Sequence, residues 1–277
     1  MKKIKKDFFD LSDRVAIITG GTGLLGQQHA EAIPNAGGIP VLADIRLNNI
    51  EPESFEWRER FGKLACAIQT DITQPESVKE LLENVLSRFG RVDILVNNAA
   101  NNPKMEKQSD IEFSRLEFFP LTQWETDLAV GLTGAFLCSQ VIGSEMARRK
   151  HGVIVNVASD LALIAPDQRL YRQSGLPDDQ QPVKPVTYSV VKTGLIGLTR
   201  YLATYWANDG VRVNAMSPGG VFNNQPEEFV QRLSNLIPLG RMANADEYQA
   251  AIIYLCSDAS SYMTGTNLIV DGGRSSW

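Results

Sequence analysis

Short runs of aliphatic and β-branched residues alternate along the chain with longer stretches whose apolar positions recur every three or four residues. VAIIT at 15–19, IPVLA at 39–43, LACAIQ at 64–69, ILV at 94–96, VIVNV at 153–157, VRVNA at 211–215 and LIV at 268–270 read as strands. Residues 77–89, 124–149, 188–206 and 246–256 carry the helical period. Strands this apolar on both faces belong to a parallel sheet covered by helices on each side, because alternation disappears when both faces are buried. The pattern predicts a doubly wound α/β fold of about seven strands. Pro40 is tolerated near the start of the second strand, and Pro34 ends or bends the first helix.

Composition narrows what such a sheet does. The 277 residues hold 27 Lys+Arg against 32 Asp+Glu, a net charge of −5, which argues against a nucleic-acid groove. The MKKIKK start lacks a following apolar region and reads as a solvated arm (1–11) rather than a secretion signal. No uncharged apolar run reaches about 18 residues, so no membrane span is expected. Cys66, Cys138 and Cys256 are odd in number and widely spaced, as in a reducing cytoplasm. With only His29 and His151, far apart, a zinc site or histidine-based triad is not expected. The acid or base must be another residue type.

The first strand runs into TGGTGLLG, which sets Gly20, Gly23 and Gly26 between a strand and a helix. Glycines there permit a tight turn and let backbone N–H groups approach a pyrophosphate at the helix N-terminus. Thr22, Leu24 and Leu25 complete the turn. Asp44, at the end of the second strand, can accept both ribose hydroxyls and repel a 2′-phosphate. Ile45 and Arg46 follow it. The turn holds no arginine, so NAD is expected in preference to NADP, although Arg46 leaves NADP possible. Further on, Tyr188 and Lys192 lie four residues apart in a helical pattern and share a face. Lowering a phenol from about 10 to neutrality needs about 4 kcal/mol. One ammonium at about 5 Å and an effective dielectric of about 20 supplies about 3 kcal/mol, and a cationic nicotinamide ring can supply the rest.

Together with Asp71 after the third strand, NNAA at 97–100, Ser159, SPGG at 217–220 and VDGG at 270–273, these motifs resemble the short-chain dehydrogenase/reductase family over residues 12–273. The resemblance implies a single-domain Rossmann oxidoreductase of the compact branch spanning 1–277. Tyr188 would be the general acid/base, Ser159 would hydrogen-bond the reacting oxygen, and Lys192 would bind the nicotinamide ribose and depress the Tyr188 pKa. Asp71 and Ile72 would meet the adenine. Asn98, Ala99, Ala100, Pro218, Gly219, Val221 and Asn223 would line the cofactor. Tetramers or dimers are implied as well, with Trp277 a candidate interface anchor.

The chain departs from the family pattern in three places. Its glycine spacing looks like that of the longer sugar-nucleotide branch, which keeps open an epimerase or dehydratase that retains NAD. Gly131 occupies the position of a relay asparagine, which keeps open a non-catalytic NAD-binding protein. Asn223 stands where threonine is usual. Ser159 and Tyr188 are also 29 residues apart instead of about 13, which marks an insertion over about 160–187, expected as a loop at the active-site mouth. In it Asp160, Gln168 and Tyr171 can contact hydroxyls, while Arg169, Arg172 and Lys184 can hold an anion. Asn101 and Asn102 begin a second polar stretch on the substrate side. These features imply a polar small-molecule substrate, a sugar, polyol or sugar phosphate. They are similar to oxidoreductases of bacterial surface-sugar biosynthesis.

Overall fold

The computed structural model describes residues 7–47, 51, 54–101 and 114–277. Most of the arm at 1–11 and Asn102 lie outside the described residues. Seven parallel strands form one sheet: β1 (Val15–Thr19), β2 (Ile39–Asp44), β3 (Cys66–Gln69), β4 (Ile94–Asn97), β5 (Gly152–Val157), β6 (Val211–Pro218) and β7 (Asn267–Val270). They lie in the order β3-β2-β1-β4-β5-β6-β7. This is the doubly wound α/β arrangement the pattern predicts. Pro40 precedes the β2–β3 pairing, which starts at Val41 against Cys66, so its missing N–H breaks no bond to β3.

Both faces of the sheet are covered. On one, Ala16, Ile18 and Leu42 pack with α1 (Leu24–Asn35), α2 (Phe55–Phe61) and, nearer the C-terminus, Tyr248, Ile252 and Leu255. On the other, Val15, Ile17 and Val41 pack with α3 (Pro75–Phe89), α4 (Leu121–Arg148) and α5 (Val186–Tyr205). Neighbouring strand residues thus serve opposite cores, as a two-residue repeat requires. Two further helices follow, α6 (Glu227–Ser234) and α7 (Gln249–Cys256). Pro34 sits in the last turn of α1, which ends at Asn35.

Helix α4 is long and apolar enough to cross a membrane by length and composition alone. Here Cys138, Ile142 and Met146 are fully buried in the core, and the buried polar Asp127 and Ser139 lie on the same helix. Its hydrogen-bond register widens twice into π-helical turns, at Ala129–Thr133 and Ser139–Gly143, a departure that often marks functional segments. A buried polar ladder ties the second turn to the sheet. Asn97 Nδ2 donates to Asn156 Oδ1 (2.8 Å) and Ser139 Oγ (3.0 Å), and Asn156 Nδ2 donates to Thr199 Oγ1 of α5 (2.8 Å).

Sequence order reverses between β1 and β4, so the connections leaving these strands diverge and open a crevice at their C-terminal ends.

Candidate active site

A cavity of about 1090 Å³ occupies that crevice. The turn after β1 forms one wall. Gly20 has a φ of +61°, and a Cβ there would stand 2.8 Å from the Ala99 Cα. A Cβ on Gly26 would fall 2.0 Å from the Gly20 carbonyl oxygen. Only glycine allows this packing. Asn98 fastens the turn, its Nδ2 donating to the carbonyls of Thr19 (2.9 Å) and Gly20 (3.1 Å). The N-terminus of α1 has no side-chain cap and no acidic residue in its first turn, which suits an anion.

Asp44 ends β2 beside the turn. Its Oδ2 accepts from the Thr22 amide (3.1 Å) and hydroxyl (2.7 Å), and its Oδ1 accepts from the Arg46 amide (3.2 Å). Asp71 accepts from the amide and hydroxyl of Thr73, a local turn that holds its carboxylate at the cavity edge. Gly23, Leu24, Leu25, Ile45, Ile72, Ala99, Ala100, Asn101, Pro218, Gly219, Val221 and Asn223 also line the cavity. The glycine cradle, the uncapped helix and the carboxylate at the end of β2 together fit a dinucleotide.

Ser159, Tyr188 and Lys192 converge farther along the same cavity. Ser159 follows β5, and its hydroxyl donates to Asp160 Oδ1 (2.8 Å). Tyr188 and Lys192 stand on the first turns of α5. That helix is locked to α4 by Thr187, whose hydroxyl donates to the buried Asp127 (2.5 Å). Lys192 Nζ donates to the Val157 carbonyl (2.7 Å) and lies 5.8 Å from the Tyr188 ring centre. Burial pushes the Tyr188 phenol above its usual range, and the Ser159 hydroxyl beside it pulls the other way. Burial also lowers the Lys192 ammonium to about 8, with the charge of Lys184 adding to the effect.

The insertion is a packed structure and not an open loop. Gln181 is buried, accepts from the Gln173 amide and donates to the carbonyls of Gln173 and Leu176. Leu170 packs with Leu233, Ile237 and Met242, and the Tyr171 ring meets Phe229 of α6 at a tilt of 50°, with ring centres 5.7 Å apart. Tyr171 and Arg172 reach the cavity, although Arg172 is ion-paired with Asp178. Asp160 lines the cavity as one half of a buried ion pair, its Oδ2 lying 2.7 Å from Arg274 Nη1. Two expected residues lie elsewhere. Arg169 is held by Asp167 (Nη2 to Oδ2, 2.7 Å), remains 80% exposed and does not line the cavity, so the fold does not bring it to the site its sequence position suggests. Gln168 is likewise outside, its Oε1 accepting from the Lys184 amide (2.8 Å).

Sequence reading passed over Arg274. It arrives from the C-terminal end because Asp271 accepts from the amides of Gly273 (2.9 Å) and Ser275 (2.8 Å) and curls the tail back. A lone arginine four residues after a strand carries no signal of this. Trp277 stays 76% exposed, its indole donating to the Leu236 carbonyl (3.2 Å). Both histidines lie outside the cavity. His29 is buried, held neutral and pushed down to about 3, and the half-exposed His151 lies 4.0 Å from Asp93.

Gly131 lies inside the first π-helical turn of α4. A Cβ there would meet Val191 Cγ1 at 2.5 Å, so the space an asparagine would enter is filled by the residue before Lys192.

The family model described as "short chain dehydrogenase" matches residues 14–171, and that of "Enoyl-(Acyl carrier protein) reductase" matches 179–275. The NAD-dependent glycerol dehydrogenase of Listeria innocua is 31% identical over 98% of this chain and 97% of its own length. The D-threitol dehydrogenase of Mycolicibacterium smegmatis is 31% identical with the same coverage. Among solved structures, a short chain dehydrogenase from Leptospira borgpetersenii with bound NAD+ superposes with a TM-score of 0.83 at 30% identity, over 99% of this chain and 98% of that one. The chain belongs to the short-chain dehydrogenase/reductase family and is an NAD(P)-dependent oxidoreductase.

Proposed function

We propose that this enzyme interconverts a secondary alcohol and a ketone on a polyol- or sugar-like substrate, with NAD as its preferred cofactor. The observation that carries the reading is the convergence of Ser159, Tyr188 and Lys192 at one end of a cavity whose other end is the glycine turn and Asp44. When bound, the nicotinamide supplies hydride acceptance or donation. The protein supplies proton control. Ser159 orients the substrate oxygen, and Tyr188 takes the hydroxyl proton in oxidation and returns one in reduction. Lys192, fixed by the Val157 carbonyl, holds a positive charge beside the phenol. The Asp44 carboxylate faces the ribose end and disfavours a 2′-phosphate.

The polar end of the cavity supports a hydroxylated substrate. Asp160 and Arg274 form a fixed acceptor–donor pair next to Ser159, which matches adjacent hydroxyls, one donating to the carboxylate and the other accepting from the guanidinium. The relatives named for glycerol and D-threitol act on such molecules. Mixing the enzyme with glycerol, threitol, mannitol or gluconate and either NAD or NADP, and following reduced-nicotinamide absorbance, tests the proposal. Turnover on at least one polyol with NAD is expected, and turnover confined to enoyl thioesters contradicts it.

The reading extends to one compact domain and to a homo-oligomer, a tetramer or dimer. Tyr201 and Tyr205 stack on each other at the surface of α5, and Tyr262, Ile269 and Trp277 are exposed near β7. Sedimentation of the full-length and tail-truncated chains measures the assembly. A cytoplasmic location is in keeping with three buried free thiols, two of them pushed up to about 12 by burial.

A further inference from the structure

The polar groups around Ser159 are engaged with one another. Asp160 Oδ1 accepts from the Ser159 hydroxyl (2.8 Å) and the Leu161 amide (2.8 Å), and its Oδ2 accepts from Arg274 Nη1 (2.7 Å). Tyr171 of the insertion differs. It lines the same cavity, and among the described residues no group hydrogen-bonds its hydroxyl. Burial pushes this phenol above its usual range, and the charged groups that reach it are Arg274, Tyr188 and Asp160, which places it at the substrate end. It therefore stays protonated at neutral pH and offers both a donor and an acceptor. A half-buried hydroxyl without a protein partner is completed by water or by whatever fills the cavity.

The backbone that carries Tyr171 is fixed on both sides. Gln168–Tyr171 is a single 3-10 turn, begun by Asp167, whose side chain accepts from the Arg169 amide (3.0 Å). Before Tyr171, Leu170 is buried against Leu233, Ile237 and Met242. After it, the Arg172 carbonyl accepts from Arg232 Nη1 of α6 (2.6 Å). The Tyr171 ring itself rests against Phe229 of α6, with ring centres 5.7 Å apart. The phenol thus reaches the cavity from an ordered support, and little freedom is lost when its hydroxyl takes a partner.

We propose that Tyr171 is a specificity-determining residue: its hydroxyl bonds a further hydroxyl of the substrate, beyond the adjacent pair that Asp160 and Arg274 match. The enzyme then selects polyols with three or more contiguous hydroxyls over vicinal diols. The inference rests on the polyol reading of the site. Its test pairs D-threitol with the 2,3-butanediol of matching configuration, which keeps the two central hydroxyls and lacks the terminal ones. Tyr171→Phe keeps the ring against Phe229 and removes only the hydroxyl. It should raise KM for threitol about three- to tenfold, with kcat held, and lower the threitol-to-butanediol ratio of kcat/KM by a similar factor.

Calorimetric titration of both alcohols into the NAD complex of Tyr188→Phe, with and without Tyr171→Phe, reads the same contact without turnover, and the threitol affinity should fall by the same factor. An unchanged threitol KM and affinity overturns the proposal. So does an equal loss on both alcohols, which puts the Tyr171 hydroxyl on the reacting oxygen, or a raised KM for NAD alone, which puts it on the cofactor. A parent enzyme that turns over no polyol defeats the underlying reading, an outcome seen before any substitution is made.

Discussion

Gly131 offers a sharp test of how the catalytic helix is packed. Asparagine at this position would bring its Cβ to 2.5 Å from Val191 Cγ1, about 1 Å inside ordinary carbon–carbon contact. Val191 is buried on α5 between Tyr188 and Lys192 and has little room to retreat. Overpacking of this kind costs about 1–3 kcal/mol, offset by a few tenths because asparagine suits a helix better than glycine. At about 3 °C per kcal/mol for a chain of this size, Gly131→Asn should lower Tm by roughly 3–8 °C. Val191→Ala alone leaves a small cavity and costs about 1–2 kcal/mol. Combined, the two should cost less than their sum by about 1 kcal/mol or more, since the alanine vacates the space the asparagine enters. Thermal unfolding of the four proteins with NAD absent gives this coupling directly. Additive effects, or an unchanged Tm in Gly131→Asn, would refute the packing argument.

Other outcomes follow from the same geometry. Arg274→Met should lower stability by about 3–5 kcal/mol by leaving the Asp160 carboxylate buried without its partner, whereas Asp160→Asn with Arg274→Met together should recover part of it in a urea titration. Burial holds His29 neutral, at about 3 in the folded protein against 6.5 unfolded, so the unfolded chain binds the extra proton below pH 6.5 and stability falls as the pH drops toward 3. The loss reaches at most about 5 kcal/mol, and His29→Leu should shift the midpoint of acid unfolding to lower pH. Asp44→Ser should raise kcat/KM for NADP by about tenfold or more relative to NAD, because removing the carboxylate removes its repulsion of the 2′-phosphate. An unchanged cofactor ratio would remove Asp44 from that role.

The sheet was legible because its strands are buried on both faces, and the seven apolar runs fall within a few residues of the observed strands. The differences have local causes. β6 continues through Ser217 and Pro218 because β7 pairs there, which a hydrophobic run ending at Ala215 does not reveal. α2 is short and half exposed, and its readable signal was the Ser54 cap, which accepts from the Trp57 amide at 3.2 Å. The cofactor half of the cavity was legible because its residues lie in short motifs just after strand ends. The substrate half was not, because it is assembled from distant segments. Asp160 meets Arg274 across 114 residues, and Thr187 meets Asp127 across 60. Arg169 misled because the carboxylate that captures it, Asp167, lies only two residues away, close enough to be read as part of one charged insertion.

The central claim is that Tyr188 moves the proton. Tyr188→Phe removes one hydroxyl and leaves the glycine turn and Asp44 untouched. On the best polyol found, reduction of NAD by this variant should fall by about a thousandfold or more, while NAD binding, followed by quenching of intrinsic fluorescence, stays within a few-fold of the parent. Turnover at the parent rate with normal NAD binding would contradict the account.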